Sequence, residues 1–167
     1  MSPDALGLVR QADDGFDLVF ERRLDKPVDK VWAALTVPER IADWLADADV
    51  ELWVGGVFRL KFSANGYSME GRIVELDPPR RIAWTWPDAK HPDSVVRWEL
   101  SPDGGGCRLT LTQTRLQRPE LPELPDVAAG WHTHLEGLPG ASDGVNTPWR
   151  AAREREIRGL YAGLAAG

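Results

Sequence analysis

Alternation between apolar and polar residues dominates the middle of the chain. The segment FDLVFERRL, residues 16–24, has the two-residue period of a half-buried strand. The same period returns in six successive segments between residues 50 and 116, which are separated by turn residues such as Asn65-Gly66 and the run PDGGG. The pattern therefore predicts one early strand and, later in the chain, six strands joined mostly by hairpins.

The alternation also predicts which side chains point inward, because successive residues of a strand face opposite sides of the sheet. The predicted inward residues are Phe58, Leu60, Phe62, Ile82, Trp84, Trp86, Val96, Trp98, Leu100, Leu109 and Leu111. The segment 67–76 divides its apolar residues between both faces, so its register stays open. Gly71 in the middle of that segment is typical of a bend or a bulge.

Helical periodicity surrounds the strands. Apolar residues recur at helical spacing over 28–35, and Pro38 ends this helix and begins a second short one. Residues 149–164 predict a final helix. Between the strands and that last helix, one apolar stripe predicts an amphipathic helix, formed by Val127, Trp131, Leu135 and Leu138.

These elements predict an α+β fold in the order β-α-α-β6-α, followed by a helical tail. A bent antiparallel sheet of about seven strands cannot bury both faces with two short helices, so the long helix near residue 130 should cross its concave side. We expect a single domain over residues 1–167, with a core over 16–138 and a helical extension over 139–167. A cavity between this helix and the sheet is therefore expected.

Composition narrows the classes of function. The net charge of −6 argues against a nucleic-acid-binding protein, which needs a clustered basic face. The sequence has no apolar run of the length of a signal peptide or a membrane span, and its one cysteine, Cys107, cannot form an internal disulfide. We therefore expect a cytoplasmic protein. Eight tryptophans against four phenylalanines indicate either a bulky core or an apolar cavity wall.

The chain resembles a known family through the order of five motifs: VDKVWAALTVPERIADWLAD, WVGGVFRL, GRIVELDPPRRIAWTWP, WELSPDGGGCRLTLTQT and GWHTHLEGL. The family comprises bacterial proteins similar to the C-terminal part of the activator of the Hsp90 ATPase, within the START/Bet v 1-like superfamily. The resemblance covers about residues 16–138 and implies a helix-grip fold around a deep apolar pocket. Relatives bind lipids, sterols or polyketides, catalyse cyclisation or dehydration, or stimulate Hsp90.

Two departures from the family pattern bear on function. Chaperone stimulation by the namesake also depends on a separate N-terminal domain, which 167 residues do not accommodate, so direct Hsp90 activation is not expected. Gln113 stands where many relatives carry a histidine, so any role of that histidine is altered here.

Two of the three histidines lie in GWHTHLEGL. On a helix, residues two apart point about 200° apart, so His132 and His134 cannot both face one metal ion. His132 falls well off the apolar stripe and is expected at the surface, while His134 lies at the edge of the stripe. Three roles stay open for His134: a hydrogen-bonded boundary residue, a polar ligand contact and a general base. No metal and no cofactor are expected.

The residues predicted to bind a ligand are mostly aromatic. They are Trp44, Trp53, Phe58, Phe62, Met69, Trp84, Trp86, Trp98, Trp131, His134 and Leu135. Core packing is the alternative for each tryptophan. Trp84, Trp98 and Trp131 are favoured as ligand contacts because sheet and helix should meet there. Glu70 and Arg72 form either a pocket-facing charge pair or a solvated pair on the outer face.

Three functions follow from these patterns. The first is binding of a hydrophobic or aromatic small molecule in an internal cavity, which an interior filled with side chains would contradict. The second is a cyclase or dehydratase that uses His134 with a carboxylate or Tyr67. The third is a chaperone-associated or other interaction protein with an exposed apolar patch. A homodimer is compatible with all three.

Overall fold

The computed structural model describes residues 6–12, 15–87, 92–116 and 124–162. Its strands are β1 Leu8–Ala12, β2 Gly15–Leu24, β3 Asp47–Val50, β4 Val57–Lys61, β5 Ser68–Asp77, β6 Arg81–Thr85, β7 Val95–Asp103 and β8 Gly106–Leu116. Its helices are α1 Val28–Thr36, α2 Pro38–Ile41, α3 Leu124–Leu135, α4 Leu138–Ser142 and α5 Ala151–Leu160. Within the described ranges, no helix is long and apolar enough to cross a membrane.

All eight strands belong to one curved antiparallel sheet in the order β1-β2-β8-β7-β6-β5-β4-β3. The predicted α+β fold is confirmed, with one strand more than expected. The additional strand is β1, which pairs with β2 so that Leu8 lies opposite Val19. Its sequence LVRQA is short and lacks a clear two-residue period, which explains why the pattern did not predict it.

The predicted inward faces are confirmed along β4, β6, β7 and β8. On β7, for example, Val96, Trp98 and Leu100 are buried, and Trp98 lies opposite Ile82 of β6. Phe62, which follows the end of β4, is only half-buried against this core. The strands therefore present one continuous apolar face, on which the helices pack.

The register of β5 is now defined, with Met69, Gly71 and Ile73 on the buried side. A Cβ atom at Gly71 would lie 1.8 Å from the carbonyl oxygen of Thr85, so only glycine fits there. The expected irregularity lies just beyond it, because the pairing with β6 shifts register between Ile73 and Glu75.

Helix α3 covers the buried face of the sheet, as predicted. The ring of Trp131 lies 5.7 Å from that of Trp98 and 5.2 Å from that of Trp86, both in edge-on geometry. Leu135 and Leu138 are buried on the same side, although α3 ends at Leu135 and Leu138 begins α4. The apolar stripe thus continues through a change of helix.

Helix α5 packs against α3 and completes the core with Ile157 and Tyr161. The hydroxyl of Tyr161 lies 2.6 Å from Nδ1 of His132, whose side chain is only 1% exposed. The predicted surface position of His132 is therefore wrong, because α5 covers the face of α3 that the apolar stripe leaves open. The part of the predicted last helix beyond residue 162 lies outside the described residues.

Candidate ligand-binding site

A cluster of aromatic rings fills the space between the sheet and α3. Phe58 stacks on Trp84 with ring centroids 3.7 Å apart, and Trp98 lies 6.3 Å from Trp84. Trp44 and Trp131 both meet Trp98 edge-on at 5.7 Å. Trp84 and Trp98 line neither of the two pockets described below. The deep internal cavity expected from the sequence is therefore not confirmed, and Phe58, Trp84 and Trp98 are packed in the core.

Gln113 anchors α3 to the sheet inside this core. Its side chain is buried, and its Oε1 accepts a hydrogen bond from Nε1 of Trp131 at 2.8 Å. Its amide nitrogen donates to Oγ of Ser94 at 3.1 Å. The residue that departs from the family pattern thus pairs with a core tryptophan. Sequence reasoning identified Gln113 but not its partners, which are distant along the chain.

Two buried indole N–H groups are left without an acceptor in the part of the chain that the structure describes. They belong to Trp84 and Trp98. Buried donors are nearly always paired, and an unpaired donor costs about 1–3 kcal/mol. Trp44 shows the usual arrangement, since its Nε1 donates to the carbonyl of Ala34 at 2.7 Å.

The larger of the two pockets lies at the rim of the fold, where α3, the β4–β5 hairpin and residues 146–151 meet. Its volume is about 760 Å³. We call it the rim groove, and its lining includes Trp44, Phe62, Asn65, His134, Asn146 and Trp149. Three residues predicted to bind a ligand therefore come together here, namely Trp44, Phe62 and His134. Trp149 was missed as a site residue because the sequence pattern placed it in a helical tail outside the core.

His134 is the polar centre of the rim groove. Its Nδ1 lies 3.0 Å from the carbonyl oxygen of Trp44, which can only accept, so Nδ1 carries the hydrogen and Nε2 presents a lone pair. The imidazole lies 4.6 Å from the ring of Trp149 and 5.9 Å from that of Phe62. Burial lowers the pKa of His134 to about 4 against the opposing effect of the Trp44 hydrogen bond. The imidazole is therefore neutral at pH 7.

This environment suits a hydrogen-bond acceptor better than an acid or a base. A general acid or base works best with a pKa near the working pH, far from the value of about 4 at His134. The hydroxyl of Tyr67 accepts a hydrogen bond from Nε1 of Trp86 at 3.3 Å. Among the described residues, the hydrogen bond of His134 goes to Trp44, not to Tyr67 or a carboxylate. The catalytic pair of the cyclase or dehydratase hypothesis is thus not assembled.

The other residues predicted to bind a ligand are divided among three environments. Phe58 and Met69 are buried in the core. Trp86 is half-buried against the core. Leu135 lies at the second pocket, described below.

Trp53 does not face the interior as predicted. It lies in the turn after β3 and is 57% exposed. The apolar pattern of VELWV indicated a strand over these residues, but β3 ends at Val50. The N–H of Gly56 donates to the carbonyl of Trp53, so the chain already turns there.

Glu70 and Arg72 lie outside the rim groove. Glu70 pairs across the strands with Arg59, whose Nη2 lies 2.7 Å from Oε1, on the exposed face of the sheet. Hydrogen bonding from Arg59 lowers the pKa of Glu70. The solvated arrangement on the outer face is thus observed, with Arg59 as the partner. Across the described ranges, no group of three His, Cys, Asp or Glu side chains could hold a metal ion.

The curved antiparallel sheet with α3 on its buried face is a helix-grip fold, which is a ligand-binding fold. The family model described as activator of Hsp90 ATPase homolog 1-like protein matches residues 25–142. The chain belongs to this family.

Solved structures give the same result. The crystal structure of CalU16 from Micromonospora echinospora is 32% identical and has a TM-score of 0.75 over 98% of this chain and 97% of that one. A protein from Bordetella parapertussis is 29% identical, with a TM-score of 0.69 over 96% and 92% of the two chains. The Aha1 dimer from Colwellia psychrerythraea is 15% identical, with a TM-score of 0.66 over 75% and 94%, which shows the fold alone. No curated protein matches the sequence.

Proposed function

We propose that the protein binds a planar, largely aromatic small molecule in the rim groove. The observation that carries the proposal is the imidazole of His134 in the rim groove, whose Nδ1 lies 3.0 Å from the Trp44 carbonyl oxygen and whose ring lies near those of Phe62 and Trp149. The groove volume of about 760 Å³ falls within the usual range of ligand pockets, about 300–1,000 Å³. A ligand ring would stack on Trp149, which is 39% exposed, and donate an O–H or N–H to His134.

Polar residues in the same groove favour a substituted aromatic ring over a plain hydrocarbon. Asn65, Asn146 and Arg150 all line it. Amide and guanidinium groups at a pocket wall orient a ligand through its oxygens and nitrogens. The apolar rings would supply the contact area, and the polar groups would select the substituents.

The proposal is tested with 2-naphthol and 2-methoxynaphthalene, which have similar rings but differ in the donor. We expect 2-naphthol to bind about tenfold more tightly, because the methyl ether cannot donate to His134. The change His134→Phe should abolish this difference. Trp149→Ala should weaken both ligands, while the matched control Trp53→Ala should affect neither. Calorimetric titration measures the affinity of the wild-type protein and of the three variants for both ligands. Equal affinity of wild type and Trp149→Ala for 2-naphthol would exclude the rim groove as the site.

We also propose that the protein is cytoplasmic. Cys107 is a buried free thiol, and burial raises its pKa, which makes it a poor nucleophile and metal ligand. A buried unpaired thiol is compatible with a reducing compartment. Fractionation of cells that express the native chain tests this assignment.

A second candidate function, contact with a protein partner, is supported by the turn after β3. Leu52, Trp53 and Val54 are 41%, 57% and 62% exposed in succession. Exposed tryptophan is enriched at interfaces, and three adjacent apolar side chains form an uncommon surface feature. For the chaperone version, the Hsp90 ATPase rate is measured with the wild-type protein and with Trp53→Ala. A rate that the wild-type protein does not change would eliminate that version.

A further inference from the structure

A second pocket is lined in part by the C-terminal extension. It has a volume of about 380 Å³ and is formed by the end of β2, the turn between α3 and α4, and the start of α5. Four arginines, one glutamate and several apolar residues line it. We call it the basic pocket. Arg150 lines both pockets.

The apolar part of the basic pocket belongs to the hydrophobic core. Leu24, Leu135 and Leu138 are all buried core residues that reach this pocket. Because these three leucines are part of the packed core, their positions are fixed and the apolar surface is preformed. A ligand can therefore place a hydrocarbon group here without rearranging the fold.

Arg22 brings a positive charge to the same place. Arg22 occupies an inward position on β2 between Phe20 and Leu24 and is only 6% exposed. Its Nη1 donates to the carbonyl of Glu21 at 2.8 Å, and its guanidinium lies 5.6 Å from the ring centre of Phe20. A guanidinium keeps its proton even when buried. The charge is therefore permanent.

The pocket already shows how its arginines hold a carboxylate. Glu136 accepts a hydrogen bond from Nη2 of Arg150 at 2.8 Å. It also accepts two from Arg153, at 3.1 Å from Nε and 2.7 Å from Nη2. These contacts, led by the hydrogen bond from Arg153, lower the pKa of Glu136, so it is ionised at pH 7. Arginine and carboxylate thus meet here in the forked geometry typical of strong ion pairs.

The lining has more positive than negative charge. Four arginines and one glutamate line the pocket, while at its outer edge Arg23 also pairs with Asp25 and Asp103 and Arg153 pairs with Glu156. The protein as a whole carries a charge of −6. A basic pocket on an acidic protein concentrates anions at one place on its surface.

We propose that the basic pocket binds a small organic carboxylate with an apolar body. The body would lie on Leu24, Leu135 and Leu138, and the carboxylate would face Arg22 and Arg150. The combination of a buried apolar floor and guanidinium groups fits this class better than an inorganic anion or an uncharged lipid. The site differs from the rim groove, so its occupancy does not depend on the function proposed above.

The test compares sodium octanoate with octanamide, which has the same chain without the charge, and with sodium phosphate, which has charge without the chain. Methyl NMR at constant ionic strength follows Leu24, Leu135 and Leu138. Octanoate should shift these methyl signals saturably, and octanamide should bind about tenfold or more weakly because it lacks charge-assisted hydrogen bonds. Phosphate should leave the three methyl groups unshifted.

Two variants and a control locate the charge. Arg22→Leu should weaken octanoate binding about tenfold, and Arg22→Lys should recover part of the affinity because the charge remains. Arg97→Leu, on the outer face of the sheet beside Glu75, should have no effect. His134→Phe should also leave octanoate binding unchanged, which separates this site from the rim groove.

Either of two results would overturn the proposal. One is equal binding of octanoate and octanamide, which would remove the role of the arginines without requiring any variant to fold. The other is a set of octanoate-induced shifts confined to the methyl groups of Leu45, which lines the rim groove, because such shifts would place the ligand there.

Discussion

Tyr161 and His132 are joined by a buried hydrogen bond of 2.6 Å between the phenol oxygen and Nδ1. The same oxygen accepts the N–H of Gly7 at 2.8 Å, so it bonds to both groups. One side chain from the end of α5 thereby ties the beginning of the described chain to α3. The three segments are far apart in sequence and meet at this oxygen.

The change Tyr161→Phe should reduce the free energy of unfolding by about 1–3 kcal/mol, because it leaves two buried polar groups without their partner. Urea unfolding followed by fluorescence measures the difference. The matched control is Tyr67→Phe, since the Tyr67 hydroxyl is bonded to Trp86 at an exposed position. Equal losses in the two variants would contradict the special role of Tyr161.

The stability of the protein should depend on pH through His134. Its pKa is about 4 in the folded chain and 6.5 in the unfolded chain, so the unfolded chain binds more protons between these values. The full stabilisation is present above pH 6.5 and is lost as pH falls toward 4. The free energy of unfolding should therefore fall by about 2 kcal/mol between pH 7 and pH 5 from this group.

Urea unfolding at pH 7, 6 and 5 measures this loss, with His134→Asn as the comparison. Asparagine can still donate to the Trp44 carbonyl but does not titrate. The pKa values of Glu136 and Asp143 are lowered, so the stabilisation that they give is lost only in more acidic solution. If the variant and the wild type lose stability in parallel from pH 7 to pH 5, His134 is not the cause.

Two core tryptophans should respond differently to the same substitution. Trp131→Phe removes the donor to Gln113 and leaves a buried amide oxygen without its partner. Trp84→Phe removes an N–H group that has no acceptor among the described residues. We expect Trp131→Phe to be the more destabilising by about 1 kcal/mol, since the loss of ring volume is the same. Thermal and urea unfolding of both variants test the order, and the reverse order would refute it.

Gly71 should tolerate no side chain. In Gly71→Ala the new methyl group would lie 1.8 Å from the carbonyl oxygen of Thr85, so β5 and β6 must separate. We expect a loss of about 3 kcal/mol or more, at the upper end for overpacking, because the clash is with backbone. Gly105→Ala is the control, since a Cβ atom there meets nothing within 4 Å. A loss below about 1 kcal/mol at Gly71 would show that the strands adjust.

The strand pattern predicted the fold well because each inward position is decided locally, by alternation along one segment. On β7, the sequence alone placed Val96, Trp98 and Leu100 on the buried side, and the structure agrees. Errors arose where alternation and turn chemistry compete. Trp53 continues the apolar pattern of the preceding residues, but the glycines after it end the strand early.

The site was harder to predict because it depends on contacts between distant segments. Helical geometry separated His132 from His134 correctly, yet it could not show that α5 covers His132. In the same way, nothing near Trp149 in sequence indicates that its ring lies against His134. The internal cavity expected from the sequence is not confirmed, because packed rings such as Trp84 and Trp98 lie where it was expected.

Helix α5 lies beyond the segment that matches the family, which ends at residue 142. Even so, Ile157 and Tyr161 are core residues, and Arg150 just before α5 lines both pockets. The segment that matches the family model and the hydrophobic core therefore differ in extent. A chain that ends at residue 142 would lose part of its core and one wall of each pocket. Substitutions confined to the extension would change the residues that line the pockets and leave the sheet unchanged.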